Sequence, residues 1–200
     1  MKIITLTGPA ASGKSHVAEV FSGICEARGV SLYHIDTDKI VHELYASDTI
    51  LAIEIASVFG IEVLHFTMGI DRKALGDEVF GNPAKLAQLG SIVHPRVMAA
   101  CREICEKQRR EGQTQLVLCQ IPQLHQVGRF GDVVVAVQAG TETRKARLVN
   151  RGVSEERAEV ILASQPTDGE YAKLADHIIY NRPEDRLQEQ VERILKGVLS

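Results

Sequence analysis

The 200-residue chain has no tryptophan, only four tyrosines and five phenylalanines, and only four cysteines. So few aromatics leave little with which to stack unpaired bases. Positive charge is not in excess either: the net charge is −3, which disfavours a nucleic-acid or anionic membrane surface as the main partner. Cys25, Cys101, Cys105 and Cys119 contain no C-x-x-C pair and are too sparse for a disulfide framework. Cys101 and Cys105 stand one helical turn apart with His94 not far off, and read as small buried core residues rather than metal ligands. No apolar run reaches the ~20 residues of a membrane span, and Gly8-Pro9 interrupts the first one too early for a signal peptide. Repeats, low-complexity tracts and flexible linkers are missing. The expectation is a cytoplasmic protein, monomeric or weakly homo-oligomeric, whose partner is a small molecule.

What is present is concentrated at the start. Ile3 to Thr7 is a short, β-branched apolar run closed by a glycine, the pattern of a buried strand. Gly8-Pro9-Ala10-Ala11-Ser12-Gly13-Lys14-Ser15 follows and fits G-x-x-x-x-G-K-[ST] at every position. Such a loop turns successive backbone N–H groups inward around anionic oxygens. Its lysine reaches the β- and γ-phosphates, and its serine hydroxyl ligates Mg²⁺. A helix beginning near Ser15 adds its positive end. Gly8, Ala11, Ser12, Gly13, Lys14, Ser15 and His16 are therefore the expected ATP-binding residues, with Ser15 as the metal ligand.

Further along, residues 16–28 read as a helix ending at Gly29, and residues 31–35 as a second strand. Asp36-Thr37-Asp38 falls at that strand's carboxyl end, where ligands of open parallel sheets bind. Asp38 either caps the next helix or accepts a proton from an attacking hydroxyl; its place behind a phosphate-loop strand favours the base. Residues 48–110 are mostly helical: 48–59, an apolar stretch 61–66, 71–80, then 84–89 after Asn82-Pro83. A long helix opened by His94-Pro95 follows, running to about residue 110. This run is too long for a simple crossover and reads as an acceptor-binding lobe over about 48–111. Arg72 and His94 are its chemically interesting members, though each also suits a surface or helix-start position.

Residues 115–121, 132–137 and 177–180 read as further strands, the first two near-continuously apolar as in a sheet covered on both faces. Helices over 142–150 and 154–164 carry Arg144, Lys145, Arg147 and Arg151, either as a basic lid (about 141–165) closing on phosphates or as a solvated, ion-paired face. A terminal helix covers 183–199. Alternating strands and helices give a three-layer α/β/α fold with a five-stranded parallel sheet. Phosphate loop, carboxylates and basic lid together indicate a small-molecule kinase.

The ordered motifs resemble the dephospho-CoA kinase family over nearly the whole chain. They are Leu6-Thr7-Gly8 with Ser12-Gly13-Lys14-Ser15, Asp36-Thr37-Asp38, Ile70-Asp71-Arg72 with Leu75, Val93-His94-Pro95, Arg147-Leu148, Asn150-Arg151-Gly152, Gln165, and Ala175-Asp176 with Asn181. The resemblance implies transfer of a phosphoryl group from MgATP to the ribose 3′-hydroxyl of dephospho-CoA. It implies Lys14, Asp38 and Arg147 as catalytic residues, with Asp38 as the base. Asp36, Arg72 and His94 would bind the acceptor, Arg151 a phosphate, and Asp176 and Asn181 the adenine. The chain departs from the family pattern at Pro122-Gln123-Leu124-His125-Gln126, where P-L-L-F-E is usual, at Arg144, where glutamine is common, and at Pro9 and Ala11, where glycines are frequent.

Overall fold

The computed structural model describes residues 1–65 and 69–199, and the chain divides into two compact units, residues 1–35 with 105–200 and residues 36–104. In the first unit five parallel strands form one sheet: β1 (Lys2–Thr7), β2 (Leu32–Asp36), β3 (Leu116–Gln120), β4 (Val133–Gln138) and β5 (His177–Tyr180). Their spatial order is β2-β3-β1-β4-β5. β1 is central and buried on both faces, and it pairs with β3 (Ile4 opposite Leu118) and β4 (Leu6 opposite Val135). Two threonines in β1 are buried, and their hydroxyls donate to chain carbonyls: Thr5 to Phe130 at 2.6 Å and Thr7 to Pro122 at 3.4 Å.

One sheet face is covered by α1 (Lys14–Ala27) and α10 (Leu187–Leu199). Val17, Phe21 and Cys25 recur every fourth residue along α1, the spacing that puts them on one helix face. They meet Val191, Leu195 and Val198 of α10 over Ile4, Leu6, Leu118, Val135 and Ile179. Phe21 is wholly buried there, so truncation to alanine removes about 3–5 kcal/mol. Between the later strands lie α6 (Leu124–Val127), α7 (Thr141–Asn150), α8 (Glu155–Ala163) and α9 (Asp168–Leu174). α10 begins four residues later than the sequence suggests, because Arg182 and Asp185 close a turn through backbone and side-chain hydrogen bonds. α6 and α9 have too few residues to show a period.

The second unit holds α2 (Thr37–Ser47), α3 (Thr49–Phe59), a 3₁₀ turn (Ile61–Val63), α4 (Arg72–Val79) and most of α5 (Pro83–Glu111). Aspartates start these helices: Asp48 accepts from the Leu51 N–H, and Asp71 from those of Lys73 and Ala74. Arg96 ties α5 to α3 through Glu54 at 2.8 Å and Asp48 at 3.6 Å. The break expected before His94-Pro95 is absent, for α5 runs through Pro95 as one helix of 29 residues. Val93, Val97 and Cys101 are buried on either side of the proline, so packing holds the helix across the missing N–H. Phe66, the end of the expected apolar stretch 61–66, lies outside the described residues.

Candidate active site

The phosphate loop joins the carboxyl end of β1 to α1, and its fixed glycines answer to definite neighbours. Gly8 (φ +140°) and Gly13 (φ +89°) take backbone conformations that disfavour side chains. A Cβ on Gly8 would overlap the Val137 carbonyl of β4, and one on Gly13 would overlap the amide of Asn181. Ala11 also lies in the left-handed region, at φ +58°, without the exemption that glycine enjoys. Its methyl packs with Leu148 of α7 and Ala158 of α8.

Several side chains hold the loop from outside. The Lys14 Nζ, buried at 8% exposure, donates to the carbonyls of Gly8 (2.9 Å) and Pro9 (3.0 Å). Arg147 donates to the carbonyls of Ala11 (3.2 Å), Ser12 (3.1 Å) and Asn181 (2.9 Å). Asn181 Nδ2 donates to Ser12 O at 2.8 Å, and Gln165 Oε1 accepts from the Ala10 N–H at 2.8 Å. These bonds occupy the carbonyls of Gly8, Pro9, Ala11 and Ser12 and the N–H of Ala10. No side-chain cap hydrogen bond is made at the start of α1, a helix terminus of the kind that suits an anion. Ser15, which bears a hydroxyl, and His16 are exposed at this end, the His16 Nδ1 lying 3.5 Å from the Glu19 carboxylate. Burial, and then the neighbouring Arg151, lowers the pKa of Arg147 from the usual arginine value, which leaves it charged at neutral pH.

The basic residues of the helical hairpin have separate fates. Lys145 pairs across to Glu159 (2.7 Å) and Glu155 (3.4 Å) of α8, the ion-paired alternative. Arg147 grips the loop, Arg151 is exposed, and Arg144 is buried. His125 of the departing Pro122–Gln126 segment meets Tyr171 of α9 edge-on, with ring centroids 5.8 Å apart. Desolvation raises the Tyr171 pKa to about 12.

Asp176 requires a correction. It precedes β5, and its N–H bonds to Val134 O at the start of β4, whereas the phosphate loop leaves the opposite, carboxyl end of β1. Its carboxylate accepts from Arg129 (2.6 Å) and from the Val134 N–H (2.8 Å), staples at the sheet's amino end. A four-residue parallel strand separates it from Asn181, which does reach the loop. Asp176 is thus not brought to the nucleotide site.

In the second unit, the cap of α2 is Asp36, whose Oδ1 accepts from the Asp38 N–H at 3.0 Å. Asp38 stands in the first helical turn with an exposed side chain, and capping is not its task. Arg72 is exposed at the start of α4, near enough to lower the Tyr45 pKa against the desolvation that raises it to about 12. His94 is half-buried within α5. Tyr171 escaped the sequence reading as a site neighbour, since α9 was not visible in the pattern; Arg144 was read only as one of the lid's basic residues, its burial not visible, and Gln165 only as part of a motif.

A parallel sheet bearing a phosphate loop on its central strand, with an arginine-bearing helical hairpin against that loop, defines a P-loop nucleotide-dependent phosphotransferase. Among solved structures, TT1252 from Thermus thermophilus superposes with a TM-score of 0.70 at 28% identity, covering 99% of this chain and 96% of that one. A dephospho-CoA kinase from Campylobacter jejuni shares the fold at a TM-score of 0.57 and 24% identity over 98% and 97%. The family model for dephospho-CoA kinase (CoaE) matches residues 2–186. The dephospho-CoA kinase of Symbiobacterium thermophilum is 42% identical over 196 residues, 96% of this chain and 79% of its own. That of Fusobacterium nucleatum is 33% identical over 98% of both chains. The chain belongs to the dephospho-CoA kinase family.

Proposed function

We infer that the chain phosphorylates the ribose 3′-hydroxyl of dephospho-CoA with ATP, giving coenzyme A and ADP. The observation that supports this best is the loop itself: its carbonyls are held by Lys14, Arg147 and Asn181, while the first turn of α1 carries no side-chain cap. That arrangement suits a phosphate-bearing ligand. Lys14 exchanges its carbonyl partners for the β- and γ-phosphates, and Arg147 and Arg151 balance the charge spreading over the transferred group. Ser15, exposed at the start of α1, fits Mg²⁺ as a hydroxyl ligand; the ion supplies charge neutralisation on the phosphates. Gly8, Ala11, Ser12, Gly13 and His16 complete the nucleotide-binding set, with Asn181 acting on the loop rather than on adenine.

Asp38 accepts the proton of the attacking hydroxyl. Its exposure and the assignment of the cap to Asp36 support this role. Arg72 and His94, from the helical residues 48–111, bind the acceptor, and Asp36 holds the turn that presents Asp38. Little covalent help is needed, since positioning and charge stabilisation carry phosphoryl transfer. No helix among the described residues is long and apolar enough to cross a membrane, which suits a cytoplasmic enzyme acting on soluble substrates. The test is a coupled assay for ADP. Release should require both MgATP and dephospho-CoA, and a folded sample that releases none with both present would refute the assignment.

A further inference from the structure

Arg144, in the middle of α7, is 5% exposed, and its Nε and Nη1 have no hydrogen-bond acceptor among the described residues. Arginine stays charged in a protein, so two of the three guanidinium nitrogens of a buried cation are left unanswered, a costly arrangement for a fold to retain. The other cations of the helix are engaged: Lys145 with Glu155 and Glu159, Arg147 with three carbonyls. No carboxylate among the described residues makes a hydrogen bond to its Nε or Nη1. Asp168, which together with Arg144 acts on the Tyr171 hydroxyl, has its own Oδ1 buried without a partner.

The location is informative. Leu148, one turn further along the same buried face of α7, packs on Ala11 of the phosphate loop. The Tyr171 hydroxyl that feels Arg144 donates to Pro122 O at 3.4 Å, the carbonyl that also accepts from Thr7 at the foot of the loop. Arg144 therefore belongs to the immediate surroundings of the loop. The Ser12 hydroxyl, within the loop, is likewise buried and unpartnered.

We propose that Arg144 donates to an oxygen of a phosphate group on a bound substrate, through the nitrogens that the protein leaves unanswered, and so sets affinity for that substrate. This rests on the kinase reading above. Both substrates of that reaction carry phosphate groups, and the kinetics separate them.

The experiment measures KM for MgATP and for dephospho-CoA separately in wild type, Arg144→Gln and Arg144→Lys. It adds thermal unfolding of the ligand-free proteins and the Arg144 Nε–H resonance of the wild type during addition of ADP or dephospho-CoA. Loss of a charged hydrogen bond corresponds to about a tenfold to hundredfold weakening. Arg144→Gln should raise one KM by that factor, and Arg144→Lys should recover part of it. The substrate whose KM rises is the one held. Ligand-free Arg144→Gln should unfold at or above the wild-type temperature, since an unanswered charge has been removed, and the matching ligand should move the wild-type resonance. Wild-type values of both KM in Arg144→Gln, or a fall in kcat alone, would overturn the proposal. If both variants lose stability, a wild-type resonance that neither ligand moves overturns it as well. Failure of the wild type itself to turn over removes the kinase reading first, a result the variants cannot mimic.

Discussion

The side-chain amide of Asn181 fills the space beside Gly13 that any Cβ would need, and it donates from there to the Ser12 carbonyl at 2.8 Å. The glycine of the phosphate loop is thus required by a neighbour as well as by its own φ of +89°. Gly13→Ala should destabilise the protein by more than about 2 kcal/mol, combining positive-φ strain with overpacking. Asn181→Ala should cost about 0.5–1.5 kcal/mol, the net worth of one hydrogen bond, because Arg147 still donates to the Ser12 carbonyl. In the double variant the two losses should sum to less than their total, because the clash is gone. Urea unfolding of the four proteins measures this coupling; strict additivity would mean that the contact carries no energy.

Ala11 offers a finer comparison. Relief of left-handed strain by Ala11→Gly is worth about 1–2 kcal/mol. Against it stand about 0.4–1 kcal/mol of extra unfolded-chain entropy and about 0.8 kcal/mol for the methyl packed on Leu148 and Ala158. The terms nearly cancel, so Ala11→Gly should lie within about 1 kcal/mol of wild type. A β-branched side chain is a genuine outlier at this φ, and Ala11→Val should be clearly destabilising. Denaturant midpoints decide both.

Lys14→Ala should abolish measurable phosphoryl transfer and weaken ATP binding by at least tenfold, the scale of a lost charge-assisted hydrogen bond. Calorimetric titration with MgATP and the ADP assay read the two effects separately.

Asp38→Asn should preserve ATP affinity while lowering kcat by about 10²–10⁴, the range of general-base contributions. Since Asp36 is the helix cap, the variant should unfold at nearly the wild-type temperature. Unchanged turnover would leave Asp38 without a catalytic part.

The Asp176 pKa is lowered, first by the Arg129 hydrogen bond and then by the Val134 N–H. A carboxyl with a depressed folded value stabilises fully above its unfolded pKa of about 3.9 and loses that contribution as pH falls through the lower folded one. Both partners of the ion pair are more than a third exposed, so the pair itself adds no more than about 1 kcal/mol. Asp176→Ala should therefore lower stability by about 1–3 kcal/mol at pH 7, mostly through the unmet Val134 N–H. The deficit should shrink as the wild type is acidified below about pH 4. KM for MgATP should stay unchanged, a result at odds with an adenine-binding Asp176.

The alternation of strands and helices and the loop's eight residues were legible in the sequence because each is a local pattern with a local cause. What escaped is non-local. Pro95 reads as a helix boundary until the buried Val93, Val97 and Cys101 are seen to carry α5 across it. Asp176 and Asn181 form one motif in the sequence, yet a strand directs them to opposite ends of the sheet. Arg144 and Arg147 look like equivalent lid cations, three residues apart on one helix. Burial leaves one without an acceptor and gives the other three carbonyls.

The bond between Ser12 and Asn181 spans 169 positions. The octapeptide and its flanking strand and helix arise from local sequence, but the clasp that holds them is supplied by a residue far along the chain. A fragment that stops short of Asn181 therefore keeps the motif and loses this clasp.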